Sequence, residues 1–377
     1  MISIFIAGDI VPRNRTIDLF KQKRTDDLFH DFIPHIKDAD ISIGNLEAPI
    51  IDGNPTPIKK SGLCLHAPKE TMEVIKEAGF NTITLANNHF RDQGQQGIEC
   101  TIQYAKENSI DFVGGGATLL EARKILYKRI KDETIAIINV CEHEFSIATE
   151  EYGGSNPLDL INLYEDINTA KKQANYVLVI IHGGIEGYQL PTPRMKRTYR
   201  HLIDLGADAV VNHHQHCFSG YELYKKKPIF YGLGNFCFDW EGRINSIWNE
   251  GIAIRLTFDN TLTFDLLPYT QCNDNPCVAI CPTTLYNDRI NILNEVIQND
   301  QALEEDYFHF IKNRKKTLLL DLLPIHNKYL YALIRRGIIH LPYNEKDLIR
   351  IKNKICCESH YDNLSILLNK IIDSKGF

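Results

Sequence analysis

Three histidines within four positions follow an apolar run in the segment VVNHHQHCFSGYE, residues 210–222. On an extended chain, residues i and i+2 point to the same side, so His214 and His216 would reach a common point that Gln215 would not. Imidazole nitrogens are frequent ligands of transition metals, and the spacing therefore predicts part of a metal site. The alternative is a polar turn that is merely rich in histidine.

Other side chains with suitable chemistry stand where predicted strands end. Ligands of open α/β sheets bind beyond the carboxyl ends of the strands, so we expect these side chains to converge. Taken alone, each has a simpler explanation, such as a helix N-cap for Asp9 or a turn for Asn88, and only their recurrence at one sheet end favours a metal. Carboxylates, an amide oxygen and imidazoles together suit one or two ions of Mn, Zn or Fe better than calcium. The candidates are Asp9, Asn45 and Glu47, Asn87, Asn88 and His89, His182, and His214 with His216.

The elements that must position these residues alternate along the first 240 positions. Helical patterns, such as residues 68–79 and 96–109, separate short apolar runs, and this rhythm predicts an α/β architecture with buried strands. A different pattern of two alternating runs around Asp259-Asn260 predicts a hairpin at the sheet edge over residues 251–268. The predicted strands are residues 2–9, 40–47, 81–89, 111–116, 134–140, 176–184, 208–216 and 228–236.

The chain divides by pattern into two parts. We expect an α/β domain over residues 1–270 and a helical C-terminal extension over residues 285–377, where strand patterns are almost absent and apolar residues recur at i, i+3 and i+4. The extension would pack on the core or on a partner. Its run TLLLDLLP, residues 317–324, predicts a buried helix turn or a contact that makes a homo-oligomer through the C-terminal helices.

Net charge, the N-terminal segment and the spacing of cysteines and glycines argue against several classes of protein and site. A formal net charge of −6 over 377 residues, without a long basic run, argues against nucleic acid as a partner. The N-terminal MISIFIAGDI is too short for a signal peptide or a membrane span, so we expect a cytoplasmic protein with no transmembrane anchor and with reduced cysteines. A zinc site in CNDNPCVAIC, residues 272–281, and a nucleotide site in VGGGA, residues 113–117, are disfavoured because both spacings depart from the known patterns.

An ordered set of short motifs resembles a known family. GDI, GNLE, LANNHFRDQG, HGGIEGY, NHHQH and YGLGNF look like the CapA family of capsule and poly-γ-glutamate biosynthesis proteins, which in turn resembles the calcineurin-like metallophosphoesterases. The match covers about residues 1–270 and leaves the helical tail outside. The resemblance implies a metallophosphoesterase-like four-layer α/β/β/α sandwich with a C-terminal helical extension.

The same resemblance implies roles for individual residues. Val11 stands where the metallophosphoesterases have a second histidine ligand in their first motif, and Asn45 stands nearest to their bridging aspartate. Because two dications need an anion between them, we expect Glu47 to bridge, with Glu186 as the other spare carboxylate. Motif by motif, Asp9 matches the first aspartate, Asn88 the amide ligand, His89 the catalytic histidine, His182 the single-histidine motif, and His214 and His216 the final pair.

The expected chemistry is metal-dependent hydrolysis. A metal-bound water would lose a proton and attack a γ-glutamyl amide or a phosphoester, and His89 would protonate the leaving group as general acid. Asp92 or Glu186 would orient His89 or a ligand, and Asn45, Asn87 and Asn235 would support the site. Arg194, with Lys196, Arg197 and Arg200, would meet a polyanionic polymer or a small ester substrate, or else lie on a solvated helix face.

A non-enzymatic function remains open beside hydrolysis. The protein would then be an accessory subunit of a capsule or polyglutamate synthesis complex, with a vestigial or purely structural metal site. Val11 favours this alternative because it removes a ligand, whereas the retained histidines favour chemistry.

Overall fold

Two β-sheets lie at the centre of the computed structural model, which describes residues 1–259, 261–314 and 344–373 together with positions 329, 333, 336 and 338. The larger sheet contains β1 (Ile2–Val11), β2 (Ile41–Leu46), β5 (Thr82–Thr84), β6 (Asp111–Val113), β15 (Asn235–Phe238), β16 (Glu250–Phe258), β17 (Leu262–Gln271) and β18 (Val278–Ile280). Its order is β18-β17-β16-β1-β2-β5-β6, and β15 also pairs with β1. The predicted hairpin is therefore present as β16 and β17, one short strand inside the edge.

The smaller sheet supplies the histidine-bearing strands. It contains β8 (Leu126–Ile130), β9 (Glu133–Cys141), β11 (Tyr176–His182), β12 (Ala209–His213), β13 (Tyr221–Tyr224) and β14 (Lys227–Phe230). Its order is β13-β14-β12-β11-β9-β8, with β9, β11, β12 and β14 parallel. Two short pairs complete the strands: β3 (Ile50–Ile51) with β4 (Ala67–Pro68), and β7 (Gly115–Gly116) with β10 (Gly154–Ser155).

The helices surround the sheets. Those of the first 205 residues are α1 (Ile17–Lys21), α2 (Thr25–Phe29), α3 (Phe32–Lys37), α4 (Thr71–Ala78), α5 (Gly94–Glu107), α6 (Leu119–Ala122), α7 (Leu160–Gln173) and α8 (Pro193–Leu205). The C-terminal helices are α9 (Asn287–Gln298), α10 (Asp300–Asn313), α11 (Glu345–Cys356) and α12 (Glu358–Asp373). Single turns of 3₁₀ helix occur at Asn14–Thr16 and Ile247–Asn249.

Successive side chains of β1 alternate between two hydrophobic clusters, and this alternation explains the order of the layers in the fold. Ile4 and Ile6 share one hydrophobic cluster with β9 and β11, so the two sheets pack face to face. Phe5 and Ala7, on the opposite face, share a second cluster with α2, α3 and α4. Helices α7 and α8 cover the outer face of the smaller sheet, in contact with β9, β11, β12 and β14. The predicted four-layer α/β/β/α sandwich is confirmed.

The C-terminal helices extend the core of the sandwich. Ile290 and Ile297 of α9, Leu303 of α10, and Leu364 and Leu367 of α12 belong to the same cluster as the smaller sheet. The extension is therefore docked on the α/β part through buried apolar side chains. The run at residues 317–324, which we interpreted as a helix turn or dimer contact, lies outside the described residues. Within the described part of the chain, no helix has the length and apolar character needed to cross a membrane.

Candidate metal site

Side chains from both sheets meet where the strands end. Parallel pairing puts Asp9 of β1 opposite Asn45 of β2, and His182 of β11 opposite His213 of β12. The strands are shorter than the sequence pattern predicted, since β5 ends at Thr84 and β12 at His213, and the candidate residues that follow lie in loops. Two groups with ligand atoms within 4.8 Å of one another result: Asp9 with Glu47 and His216, and Glu47 with His182 and His214.

Glu47 belongs to both groups. It is fully buried, and neither of its carboxylate oxygens has a hydrogen-bond partner among the described residues. Oε1 lies 3.4 Å from Nε2 of His182, and Oε2 lies 3.9 Å from Nδ1 of His216. A buried carboxylate without partners is costly, and a cation on each side would supply the missing interactions. The residues present therefore fit one or two divalent ions, with Glu47 between them.

The two neighbouring histidines are held by a turn and not by a strand. His214 and His216 have positive φ angles of 88° and 54°, so the expectation that an extended chain directs both to one point is wrong. Nδ1 of His214 lies 3.1 Å from Nε2 of His182, whereas Nδ1 of His216 lies 3.4 Å from Oδ2 of Asp9. The turn therefore places His216 in the group with Asp9 and His214 in the group with His182.

Amide side chains form hydrogen bonds or close contacts with the candidate ligands. Asn45 donates to Oδ1 of Asp9 at 2.7 Å, and its amide nitrogen lies 3.3 Å from Nδ1 of His182. Asn235 Oδ1 lies 2.9 Å from Nδ1 of His216. Asn88 Oδ1 lies 3.0 Å from Nε2 of His182, on the side of the second group. Val11 is buried and offers no ligand atom, so the group around Asp9 has three candidate protein ligands.

His89 stands at the edge of the site and is tied to a buried ion pair. Its Nδ1 lies 2.6 Å from Oδ2 of Asp92, and Nζ of Lys60 lies 2.5 Å from the other oxygen of Asp92. Asn87 accepts a hydrogen bond from the His89 backbone N–H at 3.1 Å. Burial and the charge of Lys60 lower the pKa of His89, although Asp92 opposes the shift. Sequence reasoning missed Lys60, because a lysine in a loop without periodicity carries no signal.

Lys60 can be tested through stability. Its side chain is 2% exposed and that of Asp92 is 0% exposed, so Lys60→Met would leave a buried carboxylate without its cation. We expect the free energy of unfolding to fall by about 3–5 kcal/mol, measured by urea denaturation near pH 7. The neighbouring Lys59→Met is the control, because the Lys59 side chain is 76% exposed and its pair with Glu345 contributes at most about 1 kcal/mol. Equal losses in both variants would contradict this assignment.

A pocket of about 710 Å³ opens above the candidate ligands. Asn88, His89, His214 and His216 face it, and Glu186 lines its mouth as an exposed residue. One wall is aromatic, and several basic residues surround it. The C-terminal helices add further lining residues, a contribution that the sequence pattern did not predict. The aromatic residues are Phe145, Phe238, Trp240 and Trp248, the basic residues are Lys60, Arg243, Arg314 and Lys354, and the C-terminal helices supply Asn353, Lys354, His360 and Asn363.

The four arginine and lysine residues of α8 do not line this pocket: Arg194, Lys196, Arg197 and Arg200. Arg194 contacts Oε1 of Glu142 and Oδ2 of Asp362, both at 2.6 Å, and so joins α8 to α12. Lys196 pairs with Asp300, and Arg200 with Glu222, while Arg197 is exposed. The expectation that Arg194, Lys196 and Arg200 meet a polyanionic substrate is wrong, because carboxylates of the same chain already neutralise them.

Protons would compete with a metal for the candidate ligands. Burial and the charge of Asp9 raise the pKa of Glu47. Burial alone would lower the pKa of His216, but the carboxylates of Glu47, Glu186 and Asp9 outweigh this effect and raise the pKa of His216 to about 10. Below that value His216 holds a proton that a ligating imidazole must lose. We therefore expect metal affinity to rise with pH, about tenfold per unit for each proton displaced, in titrations between about pH 6 and pH 8. A metal affinity that does not change with pH would contradict the conclusion that His216 must lose a proton when the metal binds.

Comparisons with known proteins agree with the motifs. The family model described as "Bacterial capsule synthesis protein PGA_cap" matches residues 3–240. Capsule biosynthesis protein CapA of Bacillus anthracis is 31% identical over 73% of this chain and 69% of its own length. PGA biosynthesis protein CapA of Bacillus subtilis is 34% identical over 71% of each chain. A probable polyglutamine synthesis accessory protein of Mycobacterium tuberculosis is 26% identical over 54% of this chain and 57% of its own.

Solved structures resemble the fold more distantly. A phosphatase from Mycoplasma pneumoniae aligns with a TM-score of 0.47 at 17% identity, over 72% of this chain and 95% of its own. A 5'-nucleotidase from Candida albicans aligns with a TM-score of 0.41 at 11% identity, over 84% of this chain and 57% of its own. The family assignment depends on the sequence matches, which cover more than half of the chain. The chain belongs to the PGA_cap family of bacterial capsule synthesis proteins.

Proposed function

We propose that this protein is a divalent-metal-dependent hydrolase that cleaves a γ-glutamyl amide or a phosphoester in capsule or poly-γ-glutamate metabolism. The observation that carries the proposal is Glu47, a buried carboxylate without hydrogen-bond partners that lies between two groups of candidate ligands. The printed names of the two Bacillus relatives support the link to capsule and poly-γ-glutamate synthesis.

The candidate ligands divide into two sets that share Glu47. Asp9 and His216 would hold one ion with it, and His182 and His214, with Asn88 nearby, would hold the other. Such ions lower the pKa of water and neutralise negative charge on a substrate. Asn45 and Asn235 would keep Asp9 and His216 in place through their hydrogen bonds.

The remaining steps fall to residues of the pocket. With Nδ1 of His89 tied to Asp92, Nε2 is the nitrogen left to give a proton to the leaving group. Asp92, itself fixed by Lys60, would hold the imidazole in that orientation. Arg243 and the aromatic side chains of Trp240 and Trp248, which also line the pocket, would contact an anionic substrate.

Metal-dependent turnover is the direct test of the proposal. Purified protein loaded with Mn²⁺ is assayed on poly-γ-glutamate and on p-nitrophenyl phosphodiesters, with metal content determined in parallel. We expect hydrolysis of at least one substrate class that chelators abolish and that His214→Ala lacks. Loaded wild-type protein that turns over neither substrate faster than His214→Ala would overturn the proposal.

An accessory function is the second candidate. Val11 leaves one group a ligand short, and the Mycobacterium tuberculosis relative is named as an accessory protein. Under this alternative the protein binds metal without hydrolysis and associates with synthesis enzymes. The assay above separates the two, because an accessory subunit would carry ions and remain inactive on both substrates.

A further inference from the structure

A second group of potential ligands lies beside the pocket, where α11 meets α12. Sγ of Cys357 lies 3.9 Å from Oε1 of Glu144, and Nε2 of His360 lies 3.8 Å from the same oxygen. The ligand atoms of these three residues all fall within 4.8 Å of one another. None of the three belongs to the groups that contain Glu47.

Two other carboxylates near Cys357 are already bound to protein groups. Glu142 lies 2.6 Å from Arg194 and 3.0 Å from Oγ of Ser359, which donates to it. Glu358 lies 2.5 Å from Nδ1 of His143 and accepts from its backbone N–H at 2.9 Å. These bonds leave little capacity for a cation at either carboxylate.

Glu144 differs from both. Its side chain is 9% exposed, and in the described ranges no lysine or arginine forms an ion pair with it. Asn88 donates to it at a long 3.4 Å, and Nε2 of His214 lies 3.8 Å from its Oε1. A nearly buried carboxylate that faces a thiol and two imidazoles, without a lysine or arginine beside it, is energetically unfavourable unless a cation joins it.

The donor types identify the cation. Thiolate, imidazole and carboxylate together select Zn²⁺ among the common divalent ions, and separations of 3.8–3.9 Å between the donor atoms are compatible with three corners of a tetrahedron. Cys357 immediately precedes α12 and His360 is the third residue of that helix, so both lie at its N-terminal end. Glu144 follows β9, so the ion would join the C-terminal helices to the smaller sheet.

We propose that Glu144, Cys357 and His360 bind a zinc ion, adjacent to and separate from the ions at Glu47, that fastens α12 to the wall of the pocket. Cys357 gives its thiol proton to solvent when the ion binds. Glu144 and His360 both line the pocket, so the ion would lie at its wall. The site depends on residues outside the range of the family match, which ends at residue 240.

Cobalt substitution of the full chain tests this site by its sulfur ligand. Co²⁺ bound to a thiolate gives a ligand-to-metal charge-transfer absorption, and the candidate ligands around Glu47 contain no sulfur. We expect the absorption in the wild-type protein and its loss in Cys357→Ser. Cys356→Ser is the matched control, because that neighbouring thiol is exposed and should leave the absorption unchanged. Zinc content should be one equivalent lower in Cys357→Ser than in Cys356→Ser.

A second variant distinguishes loss of the zinc site from a general folding defect. His360→Ala keeps the thiol and should weaken cobalt binding at least about tenfold, with the circular dichroism spectrum of the wild type. Absence of the sulfur band in wild-type protein, or its persistence in Cys357→Ser, would overturn the zinc site. Glu47→Gln should retain the band, so this result is independent of the hydrolase proposal.

Discussion

Glu47→Gln is expected to abolish metal-dependent hydrolysis and to reduce the metal bound at the base of the pocket. The glutamine has the shape of the glutamate but no charge, and Glu47 is the residue shared by both ligand groups. Losing the shared anion removes several kcal/mol of charge stabilisation, so we expect kcat/KM to fall by at least about 10³-fold. Metal content by mass spectrometry and steady-state kinetics measure the two effects.

Glu186→Gln is the matched control for this experiment. It makes the same chemical change in an exposed carboxylate at the mouth of the same pocket. Because Glu186 belongs to neither ligand group, the variant should keep its metal. If Glu47→Gln binds as much metal as Glu186→Gln and retains its turnover, Glu47 is not a bridge between ions.

His89→Asn is expected to slow hydrolysis by about 10²–10⁴-fold on substrates with a basic leaving group, while metal content stays unchanged. A general acid matters only when the leaving group needs a proton. The loss should therefore be small on p-nitrophenyl esters, whose leaving group departs as an anion. Comparison of kcat for the two substrate types in the same variant measures this difference.

Asp92→Asn provides the companion measurement for the acid assignment. It keeps the size of the side chain at 2.6 Å from Nδ1 of His89 and removes the charge that supports a protonated imidazole. We expect a smaller loss with the same dependence on the leaving group. Equal losses of His89→Asn on both substrate types would assign His89 a role in binding and not in proton transfer.

The fold class and the convergence of the candidate ligands could be predicted from local patterns. The alternation of strand and helix patterns predicted the α/β class with buried strands, whereas the four-layer sandwich was implied by the resemblance to the metallophosphoesterases. Residues that end neighbouring parallel strands must lie together, which is why Asp9 and His182 could be identified about 170 positions apart. The ordered motifs then identified the family.

Other features depend on tertiary structure and carry little local signal. The turn at His214 and His216 has positive φ angles that a period of two does not predict. The sequence suggested that Arg194 was free to contact substrate, because the carboxylates that pair with it, Glu142 and Asp362, lie 52 and 168 positions away in the chain. Lys60 and the lining residues of the C-terminal helices are brought to the pocket only by long-range packing.

Anomalous diffraction from crystals soaked in Mn²⁺ tests the central claim most directly, because it locates the ions without reference to any substrate. We predict two peaks, both in contact with the Glu47 carboxylate, one shared with Asp9 and His216 and the other with His182 and His214. An anomalous map with no peak at Glu47, or with manganese bound only elsewhere on the chain, would contradict the account.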